Sequence, residues 1–572
     1  MTAQLCPDCG RSDCPSLLIR HTMTRRSVLR AAGVGAFGAA TAFVLAACTS
    51  GGGSASTSSA SAGAVKAGTG TATMAIFGSI GPCLMPNLTN NGNARAVTQC
   101  FGSSLLAYDE KMDFIPSLAS KYTVSSDGTQ YTFDLRKGVK WSDGTPFTAD
   151  DIEAAITAMT DPQTTTNWIT YVSPIAGTSD RKAGKSATIG YKKVDDTTFT
   201  VTLSAPNASF LDLFGTQFQP LPAHIVSKIA PTDLNTGTFA QAPNVTIGPF
   251  YMTSRSGDDD MEMARNPHFW GGTVGLAKLV VKSMTETNGV TAILAGEVDV
   301  IPAESVAEIA PSDVETLSSN SAIKVVKYQN STCQTLYMNE HTLFSDKRVR
   351  QAVIYALDRK GMIKTVLDGD GIVADSVYPP FSKYYDAKVI TKYTQNVKKA
   401  KQLLSDAGWD ASKTVNFIVP TGDTTVTQAS VIIQQQLKTI GMNVQIQQVD
   451  NNTAISRANQ QHNFDLTILA NVGVNNLDVS RRFSTAAWKT GVNSGGYSNP
   501  QLDQLMAQAV TKSAFSDQKP LTDQIQQLIS QEVPTVMLWY RDSIAAVDTA
   551  KVTNVVPQRG GAWLQAAKWG SA

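Results

Sequence analysis

The chain has 572 residues, 42% hydrophobic and 17% charged, with a formal net charge of +1. That apolar share excludes a disordered chain, and at roughly 150 residues per domain the length implies three or four lobes. The 48 Lys plus Arg balance 47 Asp plus Glu, so no basic field points to nucleic acid. One segment, near the start, is apolar enough to meet a membrane, which excludes a multi-span transporter.

Residues 1–22 hold Cys6, Cys9 and Cys14, with His21 as the one further ligand that could complete a zinc-ribbon-like set. Because Met23 is also placed to start a signal peptide, this stretch reads as a misplaced start or a harmless extension, lost on processing either way, rather than as a metal site. Thr24-Arg25-Arg26-Ser27-Val28-Leu29-Arg30 resembles a twin-arginine export motif and leads into the uncharged stretch Ala31–Ala47. Leu45-Ala46-Ala47-Cys48 resembles a lipobox, in which small residues admit the signal peptidase and the Cys48 thiolate takes the lipid. Loss of residues 1–47 removes five basic and two acidic residues and leaves a net charge of −2, which gives no electrostatic hint about a ligand. The expected address is extracytoplasmic, anchored to the outer face of the cell membrane. From Thr49 to about Thr73 the chain is Gly, Ser, Ala and Thr apart from Val65 and Lys66, too polar to offset the entropy of ordering, and reads as a flexible tether.

Three cysteines remain in the body: Cys83, Cys100 and Cys333. In an oxidising compartment Cys83 and Cys100 stand either as a disulfide closing a short loop or as two thiols, and Cys333 reads as a small buried hydrophobe. The body alternates strands and helices. Tyr131–Leu135 and Phe199–Leu203 alternate with period two. Between them Val139–Trp141 reads as a short strand, and Thr148, three residues before Asp151, caps a helix over Ala149–Met159. Lys324–Met338 reads as a strand, and Val349, Val353 and Leu357 follow Asp346 as a helix stripe. A helix over Gln428–Ile440 stops at Gly441 before the strand at Val444–Val449, and Asn499-Pro500 starts another helix. The pattern is α/β with mixed sheets.

The stretch Tyr131–Asp151 also resembles the signature of extracytoplasmic solute-binding proteins of the peptide/nickel ABC-transporter family. Further matches follow in the family's order: Ile247–Phe250, Arg265–Trp270, Gly296–Asp299, Phe344–Ala352, Ala400–Gly408 and Gly496–Pro500. The resemblance spans residues 72 to about 550. It implies a two-lobed periplasmic-binding-protein (Venus-flytrap) fold closing around a small solute, such as an oligopeptide, for an ABC permease. No cofactor, metal or nucleic acid is implied, the protein is expected to be a monomer, and it is expected to catalyse nothing. Lobe one would comprise 72–107, 222–328 and 531–572, an extra subdomain 108–221, and lobe two 329–530, after a leader (1–47) and a lipidated linker (48–71). The lobes would be joined by strands near Val325–Tyr337 and Val533–Trp539.

By analogy Gly78, Ser79 and Ile80, after the strand at Thr73–Phe77, would line the cleft. In peptide-binding members an Asp of lobe two pairs with the ligand's ammonium. The matching stretch here, Leu469–Asp478, places Asn471 at the family's Trp position and Val474 or Asn475 at its Asp position, with Asn476 beside them and Asp478 late. An uncharged, Asn-rich loop suits hydroxyls or amides, and equally an ordinary turn. Trp488 and Tyr497 are stacking candidates, whereas Trp141 and Trp270 read as structural. The Arg481-Arg482 pair could receive a carboxylate or be merely solvated. A hydrolase is disfavoured: no Gly-x-Ser-x-Gly occurs, and His21, His224, His268, His341 and His462 show no ligand spacing. Gly184-Lys185-Ser186 lacks the first Gly of a P-loop, with Ser179 in its place. A nickel-type chelate binder, an oligosaccharide binder or a receptor lipoprotein outside transport are the competing readings.

Overall fold

The structure, a computed structural model, describes residues 67–572 apart from residues 90, 110–112, 258–259, 304–305, 422, 472–476, 491, 513 and 558–561. The export motif, the zinc-ribbon-like cysteines and Cys48 therefore lie outside the described residues. The first strand begins earlier than expected, at Thr71, and Gly68 and Gly70 already bond to Gly275 and Ala277.

An eleven-stranded mixed sheet runs through both halves of the body. Its order is Asn443–Val449, Thr414–Pro420, Leu466–Asn471, Ile323–Met338, Thr535–Asp548, Val300–Ile301, Thr71–Phe77, Lys278–Met284, Asp260–Arg265 and Phe250–Ser256, with Gly371–Val373 added against Thr535–Asp548. The two long members, Ile323–Met338 and Thr535–Asp548, are antiparallel and belong to both halves. Sixteen extended residues reach about 50 Å, enough to cross from one core to another. Accordingly Ile323 sits in one apolar core with Met74, Leu279 and Val300, while Leu336 and Met338 sit in another with Phe417, Ile468 and Val536. Register between the crossing strands slips between Gln329 and Cys333, so a bulge lies between the two cores.

A separate four-stranded antiparallel sheet, in the order Ala119–Val124, Gln130–Leu135, Thr198–Thr202, Tyr191–Asp195, has its own aromatic core of Phe133, Phe199, Phe210, Phe214 and Phe218. That core also takes in Met85, Leu88, Val226 and Ile247, from chain before and after these four strands.

The signature residues tie this subdomain together. Asp151 is 3% exposed, and its carboxylate accepts from Thr148 N (2.9 Å), Trp141 Nε1 (3.1 Å) and Ala223 N (2.8 Å). The capping box predicted from Thr148 and Asp151 is present at the head of the helix Ala149–Thr160. The strand expected at Val139–Trp141 is instead a single bridge, Lys140 to Pro146, because the chain turns back within five residues. Cys83 and Cys100 are free thiols, not a disulfide, since Cys83 faces the subdomain core and Cys100 the core of the large sheet. Cys333 is buried and free.

Candidate functional site

Strand directions place the site. Thr71–Phe77 and Lys278–Met284 run parallel in one half, and Thr414–Pro420, Asn443–Val449 and Leu466–Asn471 run parallel in the other. Each set runs towards the middle of the crossing strands: Asn471 is level with Cys333, and Leu466 with Met338 at the far end. The carboxyl ends of the strands from both halves thus open on one crevice beside the bulge, where α/β sheets place their ligands.

On the first side, Gly78 takes φ +88° at the strand end, a left-handed conformation suited to glycine. The Asn93 amide donates to the carbonyls of Phe77 (3.0 Å), Gly78 (3.3 Å) and Ser79 (3.1 Å), and Ser283 Oγ donates to Gly78 (2.9 Å). Asn91 caps the helix Gly92–Phe101 by accepting from Asn93 N and Ala94 N, and its own amide donates to Ser79 O (3.1 Å). Gly78 and Ser79 are therefore an exposed turn whose carbonyls are held from behind. Ile80 departs from expectation: it is fully buried in the apolar core, because the turn swings its side chain inward.

One helical turn beyond Asn91, the Arg95 guanidinium lies over the Trp168 ring (4.7 Å) and 6.0 Å from the Tyr171 ring, and donates to Gln217 Oε1. Trp168 and Tyr171 stack at 5.9 Å, and Trp168 Nε1 donates to Thr89 O (2.7 Å). The sequence offered no local signal for this group, which draws on residues well over a hundred positions apart.

On the other side, Asn471 is half-buried, and its side chain lies beside the buried Tyr337 hydroxyl. Val474, Asn475 and Asn476 lie outside the described residues. Asp478 accepts from Ser480 N (2.8 Å), and Tyr378 Oη donates to Leu477 O (2.9 Å), so the carboxylate heads the short helix Ser480–Phe483. The Arg482 charge reaches inward and lowers the Cys333, Tyr337 and Tyr540 pKa values, each of which burial raises more strongly.

Two candidate aromatics stand elsewhere. Trp488 stacks on His341 (4.6 Å) and His462 (3.5 Å), past the strand ends at Met338 and Leu466 and away from the crevice. Tyr497 is 3% exposed within a helical core with Leu502, Met506 and Ile529. Both correct the expectation of stacking on a ligand.

The halves also touch opposite the crossing strands. Ala208 N donates to Val510 O (2.6 Å), at the end of the helix Pro500–Val510. Beside it Tyr108 Oη donates to Asp212 Oδ1 (2.6 Å), within the field of Lys383. Among the described residues no group of three His, Cys, Asp or Glu could hold a metal ion, and no helix is long and apolar enough to cross a membrane.

Residues 113–493 match the bacterial extracellular solute-binding proteins, family 5 Middle. The chain belongs to that family. The oligopeptide-binding protein AppA of Bacillus subtilis is 28% identical over 497 residues, covering 82% of this chain and 87% of its own length. The structure of that AppA in complex with a nonapeptide superposes with a TM-score of 0.74 at 23% identity, covering 88% of this chain and 99% of its own. NikZ of Campylobacter jejuni in complex with Ni(L-His) superposes at 0.72 and 21% identity, covering 87% and 99%. The family fold is two-lobed, with the crossing strands between the lobes. As a family 5 protein the chain serves as the solute-binding part of a transport system.

Proposed function

We propose that this solute-binding protein captures a peptide-like solute between its lobes and hands it to an ABC permease, making and breaking no covalent bond. The observation that carries the reading is the crevice itself: the strand ends of both halves open on it, with the exposed turn Gly78–Ser79 at one edge and the end of Leu466–Asn471 at the other. In this reading lobe one comprises 72–107, 222–328 and 531–572, the subdomain 108–221 is inserted into it, and lobe two is 329–530. Closure follows from tighter binding to the closed form. The name and solved complex of the AppA relative support a peptide.

A thermal-shift screen tests this. Short peptides are expected to raise the melting temperature, since a ligand at a hundredfold its Kd adds about 2.7 kcal/mol. Stabilisation by a nickel–histidine chelate or by oligosaccharides, with none by peptides, would overturn it.

The protein is further proposed to be a monomer held at the outer face of the membrane by lipid on Cys48. Several acyl chains, at about 0.8 kcal/mol per buried methylene, give durable attachment. Cys48→Ala is expected to yield a chain without lipid by mass spectrometry of its amino-terminal peptide; lipid on that variant would refute the anchor.

A further inference from the structure

A single arginine stands at the pivot between the two crossing strands. Their pairing breaks off at Gln329–Asp542 and resumes at Cys333–Tyr540, so residues 330–332 of one strand face Arg541 alone on the other. Two carboxylates approach its guanidinium: Glu308 Oε2 lies 3.8 Å from Nη2, and Asp423 Oδ2 lies 4.0 Å from Nη1. Each acid is fixed through its other oxygen. Glu308 Oε1 accepts from Ser543 Oγ (2.7 Å), and Asn330 Nδ2 donates to the same serine (2.8 Å), so this acid is fastened to both crossing strands. Asp423 Oδ1 accepts from Val426 N (3.2 Å) at the head of the helix Thr424–Thr439. The Arg541 guanidinium donates no hydrogen bond among the described residues, so its charge is committed to these two acids alone.

Both acids stand at strand ends that open on the crevice. Phe77 N donates to Val306 O (2.7 Å), which sets the segment carrying Glu308 beside the end of Thr71–Phe77, and Asp423 follows the end of Thr414–Pro420. On the proposed division Glu308 lies in lobe one and Asp423 in lobe two. Opening the crevice separates those strand ends, and with them the acids, while Arg541 stays at the pivot. One guanidinium then reaches both acids only when the lobes are close. We propose that Arg541 is a charge tie across the hinge, holding Glu308 and Asp423 together in the closed form and raising the closed population of the solute-free protein. This rests on the lobe division proposed above and adds a residue that sets the balance between open and closed. Without the cation the same two carboxylates repel each other. The tie therefore carries a sign that a packing role lacks. The side chains of Glu308, Arg541 and Asp423 are 16%, 21% and 45% exposed, so salt screens them.

The test reads lobe separation in the mature protein by single-molecule energy transfer between dyes on Val194→Cys, in the strand Tyr191–Asp195, and Val431→Cys, on the helix Thr424–Thr439. Both positions are exposed, and the native thiols of the body are buried. Without solute, Asp423→Asn keeps the helix cap but not the charge, and is expected to lower the ratio of closed to open molecules about two- to fivefold. Raising NaCl to about 1 M, where the screening length is about 3 Å, is expected to open the wild type similarly. Arg541→Met is expected to open it further, and in that background the signs reverse: salt, or added Asp423→Asn, closes the lobes again. Opening by Asp423→Asn in the Arg541→Met background, as in the wild type, would show a packing role and overturn the tie. Equal closed fractions in wild type and Asp423→Asn, with short peptides still closing both, overturn the tie and leave the lobes standing. Transfer that no variant, salt or short peptide changes overturns the lobe division, and the tie with it.

Discussion

Arg350, in the matched segment Phe344–Ala352, is 2% exposed, and its guanidinium is fully committed. It donates to the carbonyls of Phe344 and Ser345 (2.9 Å each), Glu532 (3.1 Å) and Val533 (3.2 Å), and pairs with Glu340 at 3.0 Å. Burial nevertheless outweighs that pairing and holds the Glu340 carboxyl up at about 7. Arg350→Met would strand four carbonyls and one acid, and is expected to cost about 3–5 kcal/mol in a denaturant titration. A loss under about 1 kcal/mol would show that the network is incidental. Thiol chemistry gives a second residue-scale check. Burial raises Cys83, pushes Cys333 up to about 11 and Cys100 up to about 12, so little thiolate exists at neutral pH. The mature body is expected to be inert to Ellman's reagent when folded and to release three thiols in guanidinium without reductant. One thiol would mean that Cys83 and Cys100 are bonded. Spacing alone could not decide between these states, because it does not tell which core each sulfur faces.

Helix starts were readable because their chemistry is local. Thr148, Asp346 and Asn499 head helices where the sequence places them, the last two accepting from amides two or three residues on. Period two likewise marked Gln130–Leu135 and Thr198–Thr202. What no window of residues could show is contact between elements: the stack of Arg95 on Trp168, or the burial of Tyr497, which an aromatic beside Asn and Gly does not advertise. The short π-helical turn Leu211–Gly215 is another such case. It carries Asp212 to the lobe contact, where burial raises its carboxyl to about 6 while Tyr108 and Lys383 pull it down. A carboxyl held above its usual value favours folding when protonated. Its contribution is complete below about pH 4 and lost as pH rises through about 6. The loss is at most about 3 kcal/mol, at roughly 1.4 kcal/mol per unit. Asp212→Asn is expected to remove this slope, so that wild type falls relative to the variant between those limits in chemical denaturation. Parallel curves for the two proteins would refute the assignment.

At the scale of the whole molecule, two kinds of contact decide how the lobes sit. The crossing strands join them through the bulge between Gln329 and Cys333, where ladder pairing is interrupted and bending costs least. The Ala208–Val510 hydrogen bond lies away from that bulge, and on the proposed division, with Ala208 in lobe one and Val510 in lobe two, it would be made only when the lobes meet. A contact confined to the closed form raises the closed population without touching the solute. Apparent affinity scales with that population, because the observed Kd is the intrinsic Kd divided by the competent fraction. Ala208→Pro removes the donor. A net worth of about 1 kcal/mol for one hydrogen bond then predicts roughly fivefold weaker solute binding. The radius of gyration of the saturated protein in X-ray scattering should be unchanged, and that of the free protein should be larger. Weaker binding with an equally enlarged saturated form would instead mean that the variant has lost the ability to close, and that Ala208 supports the lobe itself rather than the balance between its two positions.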